Sequence, residues 1–509
     1  MLLGCIILWL VARPEWGGPG FTWDEAYYYH PFRDSARWIA LLVQSPTEAI
    51  TSQAINRGWS RIDELPPVTK WLGAAFSSIP ARGWDQLWVM RLMPTGAFFL
   101  TLLLTWKIAD RLISAKYSYL APLAYAAHPI VLGHAQLAAT ETVFSAVTAL
   151  VIWYAICRYR GRWSDRVLLG ALVGLALATK VNGLILAVAV AGWLVGRRLQ
   201  RWRTLPRELP TLGIVALAAP LVAFAIWPLM WDNTPARVAE YIRFIREHIH
   251  QGVWFNGQRW NFNAPLVPIH YPFTMLHLTT PPLLLIGFWA GLIAVLSSLS
   301  SRRRLPSREL LLLLLLLGPI SASMLPGSPK YDGTRLVFPL YLPATLLALR
   351  GLWLLSRGCK LPPNLFPTTA LLLALLSFRG PNINYYNLTA ILARDANGMP
   401  RWEATYWQTG LTPALISDLD RDLRPGAHIK TLAMQPLALD ILGEWGMIRP
   451  DIRWNGPPPY DHHLIQNRRG FWGNAEWAIH STRQPQATWG RSATGEPLFY
   501  LYDGRPPGL

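Results

Sequence analysis

The chain has 509 residues, 52% hydrophobic and 15% charged, with 26 Trp, which excludes a disordered or collagenous protein. Its net charge of +18 does not indicate a nucleic-acid partner, because the basic excess gathers in five short stretches between hydrophobic runs: Lys107–Lys116, Arg158–Arg166, Arg197–Arg207, Arg302–Arg308 and Arg350–Lys360. That is the positive-inside pattern of cytoplasmic loops. Cys5, Cys157 and Cys359 stand far apart with no CxxC spacing, so neither a zinc knuckle nor a disulfide framework is expected.

Eleven candidate spans follow in chain order: 2–12, 86–106, 117–135, 139–157, 167–179, 182–196, 209–230, 273–298, 309–325, 335–356 and 365–378. Several approach the about 17–25 residues of a typical helical span, and the rest are shorter. The first lacks a basic leader and a small-residue cleavage site, so it reads as a short span rather than a signal peptide. A start upstream of Met1 would lengthen it. Basic stretches flank 167–196 on both sides, so an even number of spans must lie between them. One helix of about 30 residues would be roughly 45 Å long. A hairpin fits better, with Thr179-Lys180-Val181-Asn182 at its tip.

Alternation then assigns one face, the non-cytoplasmic one, to loop 13–85, the turn Ala135–Glu141, the Lys180 tip, loop 231–272, the loop Pro326–Arg335 and everything from 379 onward. Within loop 231–272, Val238, Tyr241, Ile242, Ile245 and Ile249 recur at helical spacing against Arg237, Glu240, Arg243 and Glu247. This predicts an amphipathic helix along the membrane surface. The tail reads as strand His428–Met434, helix Leu437–Trp445 and strands Asp451–Trp454, Trp477–Ser481 and Leu498–Tyr502. The expected fold is mainly α: a polytopic transmembrane helical bundle over 1–378, including outer loops 13–85 and 231–272. A small soluble α/β domain, 379–509, follows on the non-cytoplasmic side.

Asp24-Glu25 lies just after the first hydrophobic segment, between Trp23 and Tyr27-Tyr28-Tyr29. Aromatic walls suit sugar rings, and a carboxylate among them can serve as a general base; an N-cap with a solvated Glu is the plainer alternative. Pro66-Pro67 opens a helix that puts Lys70 one turn inside, where an ammonium can meet a lipid phosphate or simply snorkel. Glu141 begins a span, as an N-terminal charge favoured by the helix dipole. Lys180 with Asn182 occupies the hairpin tip. Arg335 follows an Asp332-Gly333 turn, and its guanidinium suits a phosphate. Asp24, Lys70, Glu141, Lys180 and Arg335 thus share one membrane face in a topology derived without them. Such a cluster suits a phosphorylated, lipid-borne substrate attacked by a hydroxyl or amine.

Asp24-Glu25, Asp63-x-x-Pro66-Pro67-x-x-Lys70, Ala178-Thr179-Lys180-x-Asn182-Gly183, His270-Tyr271-Pro272 and Tyr331-Asp332-Gly333-x-Arg335, in this order, resemble the protein O-mannosyltransferase type of GT-C membrane glycosyltransferases. These are the family 39 proteins and, more distantly, the lipid A aminoarabinose transferases. Asn384-Tyr385-Tyr386-Asn387 and Glu403-Ala404-Thr405-Tyr406-Trp407 resemble bacterial members with an extra outer domain. The resemblance implies a GT-C fold, a polyprenyl- or dolichyl-phosphate sugar donor and an inverting transfer. Carried over, Asp24 matches the acidic catalytic position and Glu25 its neighbour, while Lys70 and Arg335 match positions for the donor phosphate.

Two departures stand out: Leu65 replaces the His of the eukaryotic enzymes, and loop 231–272 is too short for the domain they insert there. A protein hydroxyl is therefore not carried over, and the acceptor is a protein, lipid or glycan. Asp24, Glu25 and Glu141 are the expected catalytic set, with Lys70, Arg335 and Lys180 on the donor phosphate. Glu25 and Glu141 would orient the acceptor, the base or a divalent metal ion as cofactor. The expected setting is the bacterial inner membrane with the site on its periplasmic side. A lipid-linked sugar transporter would instead place charges mid-span, and a non-catalytic assembly protein would work through its tail. Asn387-Leu388-Thr389 fits an N-glycosylation acceptor in a host that modifies such sites.

Overall fold

The computed structural model describes residues 1–61, 65–113, 115–199, 209–261, 266–300, 306–362 and 385–504, with isolated positions between 365 and 372. Among these, four helices are long and apolar enough to cross a membrane: Trp84–Leu112, Thr140–Arg158, Ser307–Met324 and Arg335–Cys359. Leu2–Val11, Gly183–Arg197, Leu209–Ala225 and Pro282–Ser298 are apolar but shorter. The 167–196 segment is interrupted as expected, by a turn between helices Trp163–Leu177 and Gly183–Leu199. The amphipathic helix forms over Thr234–Arg246, with Val238, Ile242 and Ile245 exposed.

Two expected spans are broken, both at prolines. Segment 117–135 is not one helix but two, Leu120–Ala126 and Pro129–His134, with His128 extended (ψ 118°) between them. The proline ring disfavours helical geometry in the residue before it. Segment 273–298 divides in the same way, into Tyr271–Thr279 and Pro282–Ser300, with Thr280 extended ahead of Pro281. The last expected span, 365–378, lies almost wholly outside the described residues.

Small residues allow the helices to approach closely. A Cβ added at Gly351 would lie 1.9 Å from Gly287 O and 2.4 Å from Gly291 N. This is small-residue packing of the kind membrane helices use. Gly351→Ala is expected to lower thermal stability in detergent by about 1–3 kcal/mol, the usual penalty of overpacking. An unchanged unfolding temperature would contradict this contact.

The tail carries a five-stranded sheet. Its strands follow a two-stranded ribbon, β1 (Val253–Phe255) and β2 (Gln258–Trp260), in the loop before Tyr271. They are β3 (His428–Leu432), β4 (Arg453–Trp454), β5 (His462–Gln466), β6 (Ala487–Arg491) and β7 (Pro497–Asp503), in spatial order β4-β3-β5-β7-β6. β3 runs parallel to β4 and β5, while β7 is antiparallel to β5 and β6. Trp477–Ser481, expected as a strand, lies within a helix, Asn474–Thr482. Glu476 Oε2 accepts the Gly473 N–H at 2.8 Å and starts that helix, while Trp477 and Ile479 pack against the cluster of Ile465, Trp472, Tyr500 and Tyr502.

The tail is tied to the membrane part by backbone bonds. Gly20 N donates to Thr409 O (2.8 Å), Phe21 N to Leu411 O (2.8 Å) and Trp23 N to Trp407 O (3.1 Å). Only glycine fits at 20, since a Cβ there would lie 2.1 Å from Leu411 O. Asn387 is also consumed by docking: it is 3% exposed, and its Nδ2 donates to His277 O and Thr280 O at 2.7 Å each. The expected glycosylation acceptor is therefore closed to modification.

Candidate active site

Thr22 opens helix Trp23–Gln44 with a reciprocal cap: its hydroxyl accepts the Glu25 N–H, and Glu25 Oε2 accepts the Thr22 N–H. This fixes Asp24 in the first turn, where a carboxylate is favoured by the helix dipole. Asp24 and Glu25 then face different partners.

Asp24 enters a network centred on Arg335. The Arg335 guanidinium donates from Nη2 to Asp24, from Nε to Glu141 Oε1 (2.9 Å) and from Nη1 to Asp332 Oδ2 (3.2 Å). Lys180 Nζ donates to the same Glu141 oxygen at 2.8 Å. Asp332 also accepts from Arg468 of the tail. The network therefore holds three carboxylates (Asp24, Glu141, Asp332) and three cations (Lys180, Arg335, Arg468). The expected Asp332-Gly333 turn forms with positive φ at both residues (53° and 65°), which points Asp332 and Arg335 the same way. Aromatic faces close the network: Arg335 lies 4.4 Å above Trp407, and Arg468 lies 5.2 Å from Trp23 and 3.6 Å from Phe471.

Glu25 belongs to a separate network. Arg91 Nε and Nη2 bond its two oxygens at 2.8 Å each, with both residues fully buried. The remaining Arg91 donors reach Ala12 O, Pro19 O and Gly20 O, and Ala138 N donates to Glu25 Oε1. Glu25 thus ties together the first helix, the loop after it and the turn before Glu141. Lys70 is also outside the Arg335 network. Its Nζ donates to Trp59 O (2.8 Å) and Arg61 O (2.9 Å), which fastens the preceding loop. Asp63, close before the proline pair, lies outside the described residues.

Burial lifts the Asp24 carboxyl to about 7, although Arg335 pulls it down. A base near neutrality is what proton abstraction from a hydroxyl requires. Among the described residues no group of three or more His, Cys, Asp or Glu side chains is placed to hold a metal. Glu25 and Glu141, expected to orient the acceptor, the base or a divalent ion, are bonded to cations instead, so this donor set does not fit a metal.

Arg468 and Trp407 are not among the expected site residues; they reach the network from distant segments of the tail. Asp332 reads from sequence only as a turn residue, yet its side chain bridges Arg335 and Arg468. His134 is likewise unassigned by the sequence. It is buried between Phe338 (4.6 Å) and Trp407 (5.1 Å), with both ring nitrogens unpartnered among the described residues.

Residues 64–227 match the family model described as dolichyl-phosphate-mannose-protein mannosyltransferase. The matched stretch includes Lys70, Glu141 and Lys180 and leaves Asp24 and Arg335 outside. Over that stretch, about a third of the chain, it is similar to this family, and four of the described helices are long and apolar enough to cross a membrane. No curated protein matches the chain. Among solved structures, ArnT from Cupriavidus metallidurans bound to undecaprenyl phosphate aligns at 14% identity and a TM-score of 0.48, covering 99% of this chain and 97% of that chain. The Archaeoglobus fulgidus oligosaccharyltransferase AglB, in complex with an inhibitory peptide and a dolichol-phosphate, aligns at 12% identity and a TM-score of 0.42, covering 74% and 54%.

Proposed function

We propose that the chain moves a sugar, with inversion, from a polyprenyl-phosphate carrier to an acceptor hydroxyl at the network around Arg335. One observation carries this reading. Asp24, Glu141, Lys180 and Arg335, from four separate segments that the loop charges predict to share one face, are bonded to one another in a single cluster. Asp24 is the base in this reading. Arg335 and Lys180, rather than Lys70, meet the phosphate, and Glu141 holds the two cations in place. Glu25 positions the Asp24 turn through Arg91.

The charges balance through the step. The acceptor hydroxyl loses its proton to Asp24 as its oxygen bonds the anomeric carbon. The bond from that carbon to the phosphate oxygen breaks, and the leaving phosphate gains one negative charge as Asp24 loses one. Protonation of Asp24 weakens its pair with Arg335 just as the phosphate needs that guanidinium. This is preorganised stabilisation of a leaving group.

The transferred sugar is a hexose or pentose, and the cluster faces the periplasm of a bacterial inner membrane. Residues 1–378 form the membrane module, and 379–509 form a domain on the same side that contributes Trp407 and Arg468 to the site. The reading is tested by incubating purified protein with a labelled polyprenyl-phosphate sugar. Release or transfer of label by wild type is the expected result, and an inert protein that only carries the lipid across vesicles would overturn it.

Two further outcomes follow from the geometry. Lys180→Ala removes one charged hydrogen bond, worth about 1.5–3 kcal/mol. It should raise the KM for the lipid donor by roughly tenfold or more, at about 1.4 kcal/mol per decade, and leave the KM for the acceptor unchanged. Equal effects on both would argue against a phosphate role. Because Asp24 must be ionised to accept a proton and titrates near 7, kcat/KM should fall as pH drops through about 7. A flat profile between about pH 5.5 and 8 would exclude Asp24 as the titrating base.

A further inference from the structure

The tail holds a cavity of about 400 Å³ lined by Lys430, Thr431, Met434, Pro436, Asp440, Trp454 and Asn455. It sits where ligands gather in α/β sheets, at the carboxyl ends of parallel strands β3 and β4. Its walls combine an indole with polar groups left over from folding. Lys430 and Asp440 form no ion pair or side-chain hydrogen bond among the described residues; Lys430 has only a distant Tyr460 ring, at 5.8 Å. Asn455, held in the left-handed region at φ 57°, accepts from Thr431 N and Oγ1 through its Oδ1 (2.9 Å each). Its Nδ2 has no partner among the described residues, and neither does the Trp454 Nε1.

An aromatic face beside one carboxylate, one ammonium and one amide donor matches the chemistry of a sugar ring. Such a ring has an apolar face, and each hydroxyl both donates and accepts. The cavity is also joined to the Arg335 network. Gln435, in sequence between the lining residues Met434 and Pro436, donates its N–H to Gln408 Oε1 at 2.8 Å, and Gln408 adjoins Trp407, which lies under Arg335. The helix that supplies Asp440, Leu437–Glu444, ends at Trp445, whose Nε1 donates to Tyr29 OH at 2.9 Å. Tyr29 belongs to the helix that begins with Asp24 in its first turn.

We propose that this cavity is a carbohydrate subsite that holds a sugar of a glycan acceptor away from the point of transfer. Its purpose rests on the transferase reading; its binding does not. The experiment is saturation-transfer NMR on the full chain in nanodiscs, with mannotriose and the methyl glycosides of mannose, galactose and N-acetylglucosamine. Saturation transfer to at least one of these probes is expected in wild type. Asp440→Asn and Lys430→Met, at positions on the cavity wall outside the Arg335 network, should weaken it by tenfold or more. Asp24→Asn should leave it unchanged, and Asp440→Asn should still release sugar from the lipid donor at the wild-type rate. Binding without any transfer would refute the transferase reading and keep the subsite. No transfer of saturation to any probe, or equal binding by the Asp440 and Lys430 variants and wild type, would overturn the subsite.

Discussion

Asp24→Asn is expected to reduce sugar transfer by about 10³-fold, within the roughly 10²–10⁴-fold that a positioned general base contributes. The asparagine keeps the shape of the side chain and a carbonyl oxygen for Arg335, so the network around Glu141 and Asp332 can persist. What is lost is the capacity to take a proton. The variant should therefore insert, resist proteolysis and bind the lipid donor like wild type, while turnover collapses. Near-normal transfer by this variant would remove Asp24 from the mechanism.

Arg91→Met should do the opposite and damage the fold. It leaves Glu25 fully buried without its cationic partner, beside a backbone whose carbonyls at Ala12, Pro19 and Gly20 have also lost a donor. Breaking a buried ion pair from one side costs about 3–5 kcal/mol, a large share of the roughly 5–15 kcal/mol that holds a domain together. Thermal unfolding in detergent should show a marked drop. Replacing both partners, as in Glu25→Leu with Arg91→Met, should recover part of the loss, because no charge is then stranded. A companion measurement tests the role of Glu25: a folded Glu25→Gln should lose turnover yet keep the fall in kcat/KM through about pH 7 that Asp24 sets, and loss of that pH dependence would contradict the positioning role.

The difference between Asp24 and Glu25 marks how far residue patterns reach. Thr22-x-x-Glu25 is a local capping pattern, legible in four consecutive residues. Its consequence, that Glu25 is committed to holding the turn, depends on Arg91, 66 residues away. Arg335 and Lys180 are legible because the loop charges predict a topology in which both face away from the cytoplasm, where a basic residue stands out. Lys70 is legible as a rim lysine, but the carbonyls of Trp59 and Arg61 that engage it carry no side-chain signal. Trp407 and Arg468 come from a tail whose docking depends on backbone bonds such as Gly20 to Thr409, which no residue pattern announces.

The departures of the fold from expectation have local causes. His128-Pro129 and Thr280-Pro281 stand in plain view as helix breaks, yet hydropathy alone reads through them. Trp477 and Ile479 alternate with smaller or polar residues as in a strand, and the Gly473–Glu476 cap outweighs that pattern. Strands β5 and β6 escape a sequence reading altogether: His462-His463 and Gly490-Arg491 dilute the apolar alternation that marks β3 and β7.

The most direct measurement is single-turnover release of labelled sugar from a polyprenyl-phosphate donor, comparing wild type with Arg335→Gln over a range of donor concentrations. Arg335 alone touches all three carboxylates of the network. The expected result is a wild-type single-turnover rate that saturates with donor, and a variant that needs roughly tenfold more donor or beyond and releases sugar far more slowly. Equal donor affinity and equal rate in the two proteins would mean that the cluster around residue 335 is scaffolding and that the chemistry lies elsewhere.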